Sequence, residues 1–355
     1  MSVGFLPSRL PIVQAPMAGA QGVALCVAVS EVGGLGSLPS AMLAADALRD
    51  QIEEVRARIS APFNVNFFCH APSAPHPERE QNWLGELERD YAEAGLDSSS
   101  VKGGPGRAPF DAAMADVVKA LRPAVVSFHF GLPAPDLLER VRRTGAKVYS
   151  SATSVAEARW LDERGVDAII AQGLEAGGHR GMFLTEDIHG QAGLFALLPQ
   201  IVDAVKAPVI AAGGIADGRG IAAAFALGAR AVQIGTAYLM TPQATISTIH
   251  RAALREARDD TTRLTNLFTG RPARSLLNRF IREHGPMNDR APRFPHATGA
   301  LAPLRAHHEA RGSGEYSPLW AGQAAALARE EDAGHLTERL WRDAKAALGA
   351  VRLEP

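Results

Sequence analysis

The stretch Pro208-Val-Ile-Ala-Ala-Gly-Gly-Ile-Ala-Asp217, followed by Ala231-Val-Gln-Ile-Gly-Thr236, decides the fold. Each is a short run of Val, Ile and Ala that halts at glycine and leads into a helical pattern. Runs of that length and composition suit strands buried on both faces. The glycine that ends each lets backbone N–H groups approach a ligand closely, because no Cβ stands in the way. Two such units in succession, late in a chain of alternating strands and helices, match the phosphate grip at the C-terminal face of a (β/α)8 barrel.

Strand-like runs recur towards the N-terminus at Ile12–Met17, Gly34–Leu38, Phe63–Cys69, Ala124–His129, Lys147–Ser151 and Asp167–Gln172. Amphipathic stretches separate them, among them Val23–Val32, Asp136–Thr144, Val155–Gly165, Phe195–Lys206 and Asp217–Leu227. Strands alternating with helices imply parallel pairing through right-handed crossovers. The expected fold is therefore α/β, a TIM (β/α)8 barrel with an inserted helical subdomain after the eighth strand. Residues 1–243 and 317–355 make the barrel, and 244–316 the insertion, which carries no strand-like run. Ser317–Leu348 reads as one or two long helices, the first of which closes the barrel. The polar segment His70–Pro109, with a helix near Trp83–Ala94, is too long for a plain loop and is expected to cover a site.

With 355 residues the chain is large enough for such a barrel and an insertion. Its formal net charge of -1 excludes an electrostatic case for nucleic acid or an acidic membrane surface. Phosphate recognition must then be local. Cys26 and Cys69 are the only cysteines, which excludes a disulfide framework and a CxxC metal site. No apolar run reaches membrane-spanning length, and Met1–Pro7 lacks the marks of a secretory signal, so a cytoplasmic protein is expected.

Gln172-Gly-Leu-Glu-Ala-Gly-Gly-His-Arg-Gly181, Gly213-Gly214 and Gln233-Ile-Gly-Thr236 each follow a strand. Backbone amides at such turns, aided by a following helix N-terminus, make an anion site without lysine. The competing reading is that these glycines only make tight barrel turns. Met17 after the first strand, Asn66 with Asn64 on the third, and Gln172 on the sixth offer amide or backbone groups at strand ends. Asn64 and Asn66 share one face, expected to be the lumen, where an unpaired polar group is costly. Together these suit the two ends of a flavin mononucleotide. His129 ends the fourth strand, where barrel enzymes display catalytic groups. An imidazole there can take a proton from an acidic carbon or hold an anionic substrate; a packed, satisfied histidine is the alternative. His179 reads as a supporting or phosphate-side residue. His307-His308 lacks acids at metal-binding spacing, so no metal is expected. Tyr316 and Trp320 either roof a substrate cavity or serve an interface or the packing of the last helix.

Gln14-Ala-Pro-Met17, Asn64-Val-Asn-Phe-Phe68, Val126-Ser-Phe-His-Phe-Gly131, Gly173-Leu-Glu-Ala-Gly-Gly-His-Arg-Gly181, Gln233-Ile-Gly-Thr236 and Glu315-Tyr-Ser-Pro-Leu-Trp-Ala-Gly-Gln323 resemble nitronate monooxygenase. The resemblance points to the group acting on alkyl nitronates and propionate 3-nitronate. It implies a TIM barrel with non-covalent FMN contacted at Met17, Asn66, Gln172, Gly177, Gly178, Gly213, Gly214, Gln233, Ile234, Gly235 and Thr236. It places His129 on the catalytic histidine. It implies oxidation of a nitronate by dioxygen to a carbonyl compound and nitrite, without nicotinamide, as a detoxifying reaction. Partners are then the nitronate and dioxygen, and a homodimer stays open. Three other readings share the glycine grip: an FMN-dependent NAD(P)H reductase acting on an enoyl thioester or quinone, a flavin-free phosphosugar barrel, and a non-catalytic flavin carrier.

Overall fold

The computed structural model describes residues 4–101 and 107–350. Its strands in chain order are β1 (Ile12–Gln14), β2 (Gly36–Pro39), β3 (Phe63–Phe68), β4 (Val125–His129), β5 (Lys147–Ala152), β6 (Ala168–Gln172), β7 (Gly178–His179), β8 (Val209–Ala212), β9 (Ala231–Ile234), β10 (Thr262–Thr265) and β11 (Ala273–Leu276). All but β7, β10 and β11 form an eight-stranded sheet in the order β1-β9-β8-β6-β5-β4-β3-β2. Leu35 closes it: its N–H donates to Ile12 O and its carbonyl accepts from Gln14 N–H, both at 2.9 Å. The architecture is the expected TIM barrel.

Side chains alternate along each strand, and the two faces have different partners. Outward positions such as Val65, Phe67, Val126 and Phe128 pack with Leu48, Ile52, Val118 and Leu161 of the surrounding helices. Inward positions Val13, Leu35, Val125, Tyr149, Ile170 and Ile210 make an apolar floor, with Leu6 beneath them. The Tyr149 hydroxyl donates to Phe5 O at 2.6 Å and ties the N-terminal segment across that end. The lumen is therefore plugged at the N-terminal ends of the strands, which leaves their C-terminal ends for a ligand.

The expected first helix after Ser317 is not what closes the ring. That place is taken by the long helix Ala333–Ala350, which packs between Gly218–Ala226 and Val23–Glu31. Its approach is close: a Cβ on Gly218 would lie 2.5 Å from the Asp343 carbonyl carbon. The segment before it, Ser317–Asp332, is irregular apart from one short turn of 3-10 helix at Ala325–Leu327.

The region after β9 also departs from the all-helical expectation. β10 and β11 form an antiparallel hairpin, and β11 pairs in turn with β7, Ala273 opposite His179. Their four-residue sequences interleave Arg with apolar residues and carry no strand period long enough to read. Pairing with the glycine loop after β6, a tertiary event, makes them strands. The excursion after β3 joins this region. Trp83, Leu87 and Tyr91, from helices Pro77–Glu86 and Glu88–Ala94, share a second core with Leu267, Phe268, Phe280, Leu301, Leu304 and Tyr316.

Candidate active site

A cavity of about 540 Å³ opens at the C-terminal ends of the barrel strands, within the range of small-molecule and cofactor sites. One wall is built of glycine. Gly213 and Gly214 sit at φ 111° and 68°, left-handed values that a side chain rarely tolerates. Gly177 is needed for a different reason: a Cβ there would lie 2.5 Å from Gly322 N. The segment Ala321–Gln323 crosses directly over it. Gly322 N–H donates to Thr236 Oγ1 and Gln323 N–H to Glu175 O, both at 2.9 Å. This late segment stitches the loop after β6 to the end of β9. Gly178, Gly235 and Thr236 also line the cavity. Ile234 does not; its side chain is buried in the core between barrel and helices, because neighbours on a strand face opposite ways.

Of the helix termini near the rim, the one at Thr236–Leu239 opens on the cavity without a side-chain cap, whereas two others are already occupied. The helix Gly218–Ala226 is capped by its own Asp217, which accepts from Arg219 N–H and Gly220 N–H. The helix Leu194–Ala204 begins against Glu175, whose carboxylate accepts from Leu194 N–H. The loop after β6 instead turns its carbonyls away: Arg180 donates to Gln172 O and Gly173 O, and Arg274 to Leu174 O.

A second wall carries amides. The Gln21 side-chain Oε1 accepts from Met17 N–H at 3.1 Å and fixes the loop after β1. Asn66 Nδ2 donates to Ser127 Oγ at 2.9 Å, and Asn64 Nδ2 to Ser37 Oγ at 3.0 Å, so both asparagines do face the lumen. Gln172 is tied at both ends to its own loop, donating to His179 O at 3.0 Å and accepting from Gly181 N–H at 2.8 Å. Gln233 Oε1 is buried without a partner among the described residues. An orphaned buried carbonyl costs about 1–3 kcal/mol, so it points to a ligand that donates there.

His129 stands on the third wall, at the end of β4. Its Nδ1 lies 2.7 Å from Ser151 Oγ and its Nε2 3.3 Å from His179 O. A carbonyl only accepts, so Nε2 carries the proton and Nδ1 accepts from the Ser151 hydroxyl, whose other acceptor, Phe128 O, lies farther off at 3.4 Å. Burial, then the charge of Arg271, pushes the imidazole down to about 3, and it is neutral near pH 7. Two features fix its position. Phe130, the next residue, has φ 71°, a strained value for a bulky side chain that turns the chain sharply after His129. Gly181 leaves room for the ring: a Cβ there would lie 2.7 Å from His129 Cε1. The Arg271 guanidinium lies 4.0 Å from the Phe130 ring centroid.

Of the two late aromatics, the structure brings one to the cavity. Trp320 lines it, 5.4 Å from the His179 ring. Tyr316 does not; it is buried in the second core with its hydroxyl on Asp90. His179 bonds Thr269 Oγ1 through Nε2 at 2.9 Å and contributes its carbonyl, not its ring, to His129. Sequence reasoning missed Ser151, Gly181, Arg271, Arg107 and His250. Gly181 sat inside a motif already quoted and Ser151 ended a strand-like run already read, but the others lie in segments with no pattern of their own.

A family model described as nitronate monooxygenase matches residues 2–343. The chain is 42% identical over 345 residues to a nitronate monooxygenase of Paraburkholderia phytofirmans, covering 96% of this chain and 94% of that one. It is 42% identical over 332 residues to a nitronate monooxygenase of Pseudomonas aeruginosa, covering 93% and 95%. Among solved structures it resembles a nitroalkane oxidase from Streptomyces ansochromogenes, with TM-score 0.89, 40% identity and coverage of 97% and 98%. FabK from Thermotoga maritima is similar at TM-score 0.73 and 28% identity, covering 98% of this chain and 96% of that one.

Proposed function

The chain belongs to the nitronate monooxygenase family of oxidoreductases, and on that premise we propose that it oxidises alkyl nitronates, propionate 3-nitronate among them, with dioxygen over bound FMN. The products are a carbonyl compound and nitrite. The observation that carries this reading is one cavity whose walls are a glycine cradle, an orphaned Gln233 carbonyl and a neutral, desolvated His129. A ring bearing an N–H and a phosphate tail fits that set. Gly213, Gly214, Gly235 and Thr236 would take the phosphate, and Gln233, Asn66 and the Met17 loop the ring, beside Gly177 and Gly178. Bound there, FMN supplies the electron acceptor that no side chain of this cavity provides.

The protein's own part is binding and electrostatics. A nitronate is an anion, and Arg271, which burial lowers only to about 10, stays charged beside His129. The His129 Nε2–H donates to the nitronate oxygens in place of the His179 carbonyl. Ser151 holds the opposite nitrogen, and so keeps the donor turned inward. In that tautomer Nε2 has no lone pair for a C–H proton, so preformed nitronates are turned over faster than neutral nitroalkanes.

The test is aerobic mixing of purified, FMN-loaded protein with propionate 3-nitronate and with a simple alkyl nitronate, scoring nitrite released and dioxygen consumed. Turnover of neither overturns the reading. The likeness to FabK favours a second reading, a reductase that draws hydride from NAD(P)H on the same barrel. Anaerobic NADH or NADPH separates the two: rapid bleaching of the flavin supports the reductase, and a stable yellow colour the nitronate oxidation.

A further inference from the structure

The loop between β6 and β7 is held shut by a reciprocal pair of side chains. The Gln172 amide reaches across to main chain at the far end, donating to His179 O at 3.0 Å and accepting from Gly181 N–H at 2.8 Å. The Arg180 guanidinium reaches back to the near end, donating to Gln172 O at 2.8 Å and to Gly173 O at 2.5 Å. It also donates to Gln191 Oε1, from Nε at 3.2 Å and from Nη2 at 2.8 Å. Gln191 Nε2 donates in turn to Thr153 Oγ1 at 3.0 Å, and Thr153 Oγ1 to Glu157 Oε2 at 2.7 Å. That chain is anchored just beyond β5, whose Ser151 holds Nδ1 of His129.

Arg180 is fully buried, and its bonds among the described residues all go to neutral oxygens. Burial and the like charge of Arg274 push it down to about 10, so it stays charged near pH 7, and Glu175 and Glu157 favour that charge only from a distance. Burying a cation without an ion pair costs stability that an apolar side chain of similar size would not. Packing alone therefore does not account for it. The turn that Arg180 pins is the seat of the next glycine loop: a Cβ on Gly213 would lie 3.2 Å from Gly173 O and 3.1 Å from Ala176 N. At its other end the clasp fixes the His179 carbonyl, 3.3 Å from His129 Nε2. We propose that Arg180 is a positioning residue that registers the glycine cradle and the His129 imidazole against each other, acting through the Gly173 turn on one and the His179 carbonyl on the other. Arg180 does not line the cavity, so replacing it deletes no contact with a ligand. This inference rests on the function proposed above and adds the residue that aligns its two halves.

The experiment compares wild type with Arg180→Lys, Arg180→Met and Gln191→Leu, the last of which cuts Arg180 from β5 and leaves its charge in place. Flavin fluorescence titration of the apo proteins reads FMN affinity. NMR of isotope-labelled histidine reads the His129 tautomer, its signal assigned by loss in His129→Asn. Steady-state kinetics at saturating FMN reads kcat and KM for a simple alkyl nitronate. In Arg180→Met, FMN affinity should fall by about tenfold to a hundredfold, the fold-change of one charge-assisted hydrogen bond. The single Nε2–H pattern of His129 should give way to a mixture of tautomers, and kcat should fall more than KM rises. Arg180→Lys should restore part of each, and Gln191→Leu should fall between. A folded Arg180→Met with wild-type FMN affinity and an unchanged His129 signal overturns the proposal, even with a lower melting temperature. Loss of one with the other intact also overturns it, because one residue then does not align the two. Should Arg180→Met fail to fold, the same results in Gln191→Leu overturn it. Both losses in a protein whose wild type binds FMN but turns over no nitronate keep Arg180 in this role and overturn only the proposed reaction.

Discussion

Two half-buried histidines in this molecule each meet oxygen atoms, and their surroundings differ in one respect. His284 lies in the second core with Nε2 3.1 Å from the Asp90 carboxylate, which also accepts the Tyr316 hydroxyl. Around it Arg89, Arg279, Glu93 and Glu283 pair with one another. The cluster is saturated. His129 instead has a serine hydroxyl, a carbonyl and a nearby cation, and on the same cavity the Gln233 side-chain carbonyl has no partner and Arg107 no carboxylate among the described residues. Burial alone does not mark a site. What separates the two regions is that the charged groups around His284 pair with one another, although the Trp83 indole N–H beside them is left without a partner among the described residues, while the other region borders an open cavity lined by polar groups.

The comparison can be broken most directly at His129. In His129→Asn, kcat/KM for a nitronate is expected to fall by about a hundredfold or more with FMN content retained; equal rates would place the imidazole outside the mechanism. Gly181→Ala is the next largest. Its methyl would push the imidazole off its position, and a shift of about 1 Å costs on the order of tenfold to a hundredfold in turnover. Steady-state assays on FMN-saturated enzyme check both.

The saturated region should answer in stability, not in rate. Tyr316→Phe leaves Asp90 short of a donor and should lower unfolding stability by about 1–3 kcal/mol, seen as a lower urea midpoint. Its kcat/KM should stay within about twofold of wild type, and a larger fall would return Tyr316 to the substrate site. The smallest effect separates the regions by pH. Folded His129 is depressed to about 3, and His70 and His250 to about 4, so the unfolded chain binds more protons in this range. Stability therefore rises with pH up to about 6.5 and falls as pH drops below it. Asp90, lowered by its bonds to His284 and Tyr316 against the opposing effect of burial, loses its contribution only at more acid pH. The fall in urea midpoint between pH 7.5 and pH 5 should thus persist in Asp90→Asn and shrink in His250→Gln.

Much of this was open to reading from the chain. Each of the eight strand-like runs became a barrel strand, and those at Asp167–Gln172, Pro208–Ala212 and Ala231–Ile234 run directly into glycine. The exceptions are instructive. Ala273–Leu276 pairs on one side with the loop after β6 and on the other with Thr262–Thr265, and these pairings rather than any sequence period make both of them strands. Tyr316 read either as a roof of the cavity or as an interface or packing residue, and its hydroxyl bonds Asp90, 226 residues away in sequence. Arg107 sits at the end of a polar segment and carries no signal until Phe294 and Arg305 are folded against it.

The sequence by itself determined the barrel, the glycine loops on its rim and the place of His129 at a strand end, since each follows from local rules of periodicity and backbone freedom. Only the tertiary structure decided that His129 is a neutral donor, that Gln172 faces its own loop and that Arg107 meets no carboxylate among the described residues. Charge state and hydrogen-bond satisfaction depend on what lies across space, and that is fixed by packing between segments far apart in the chain.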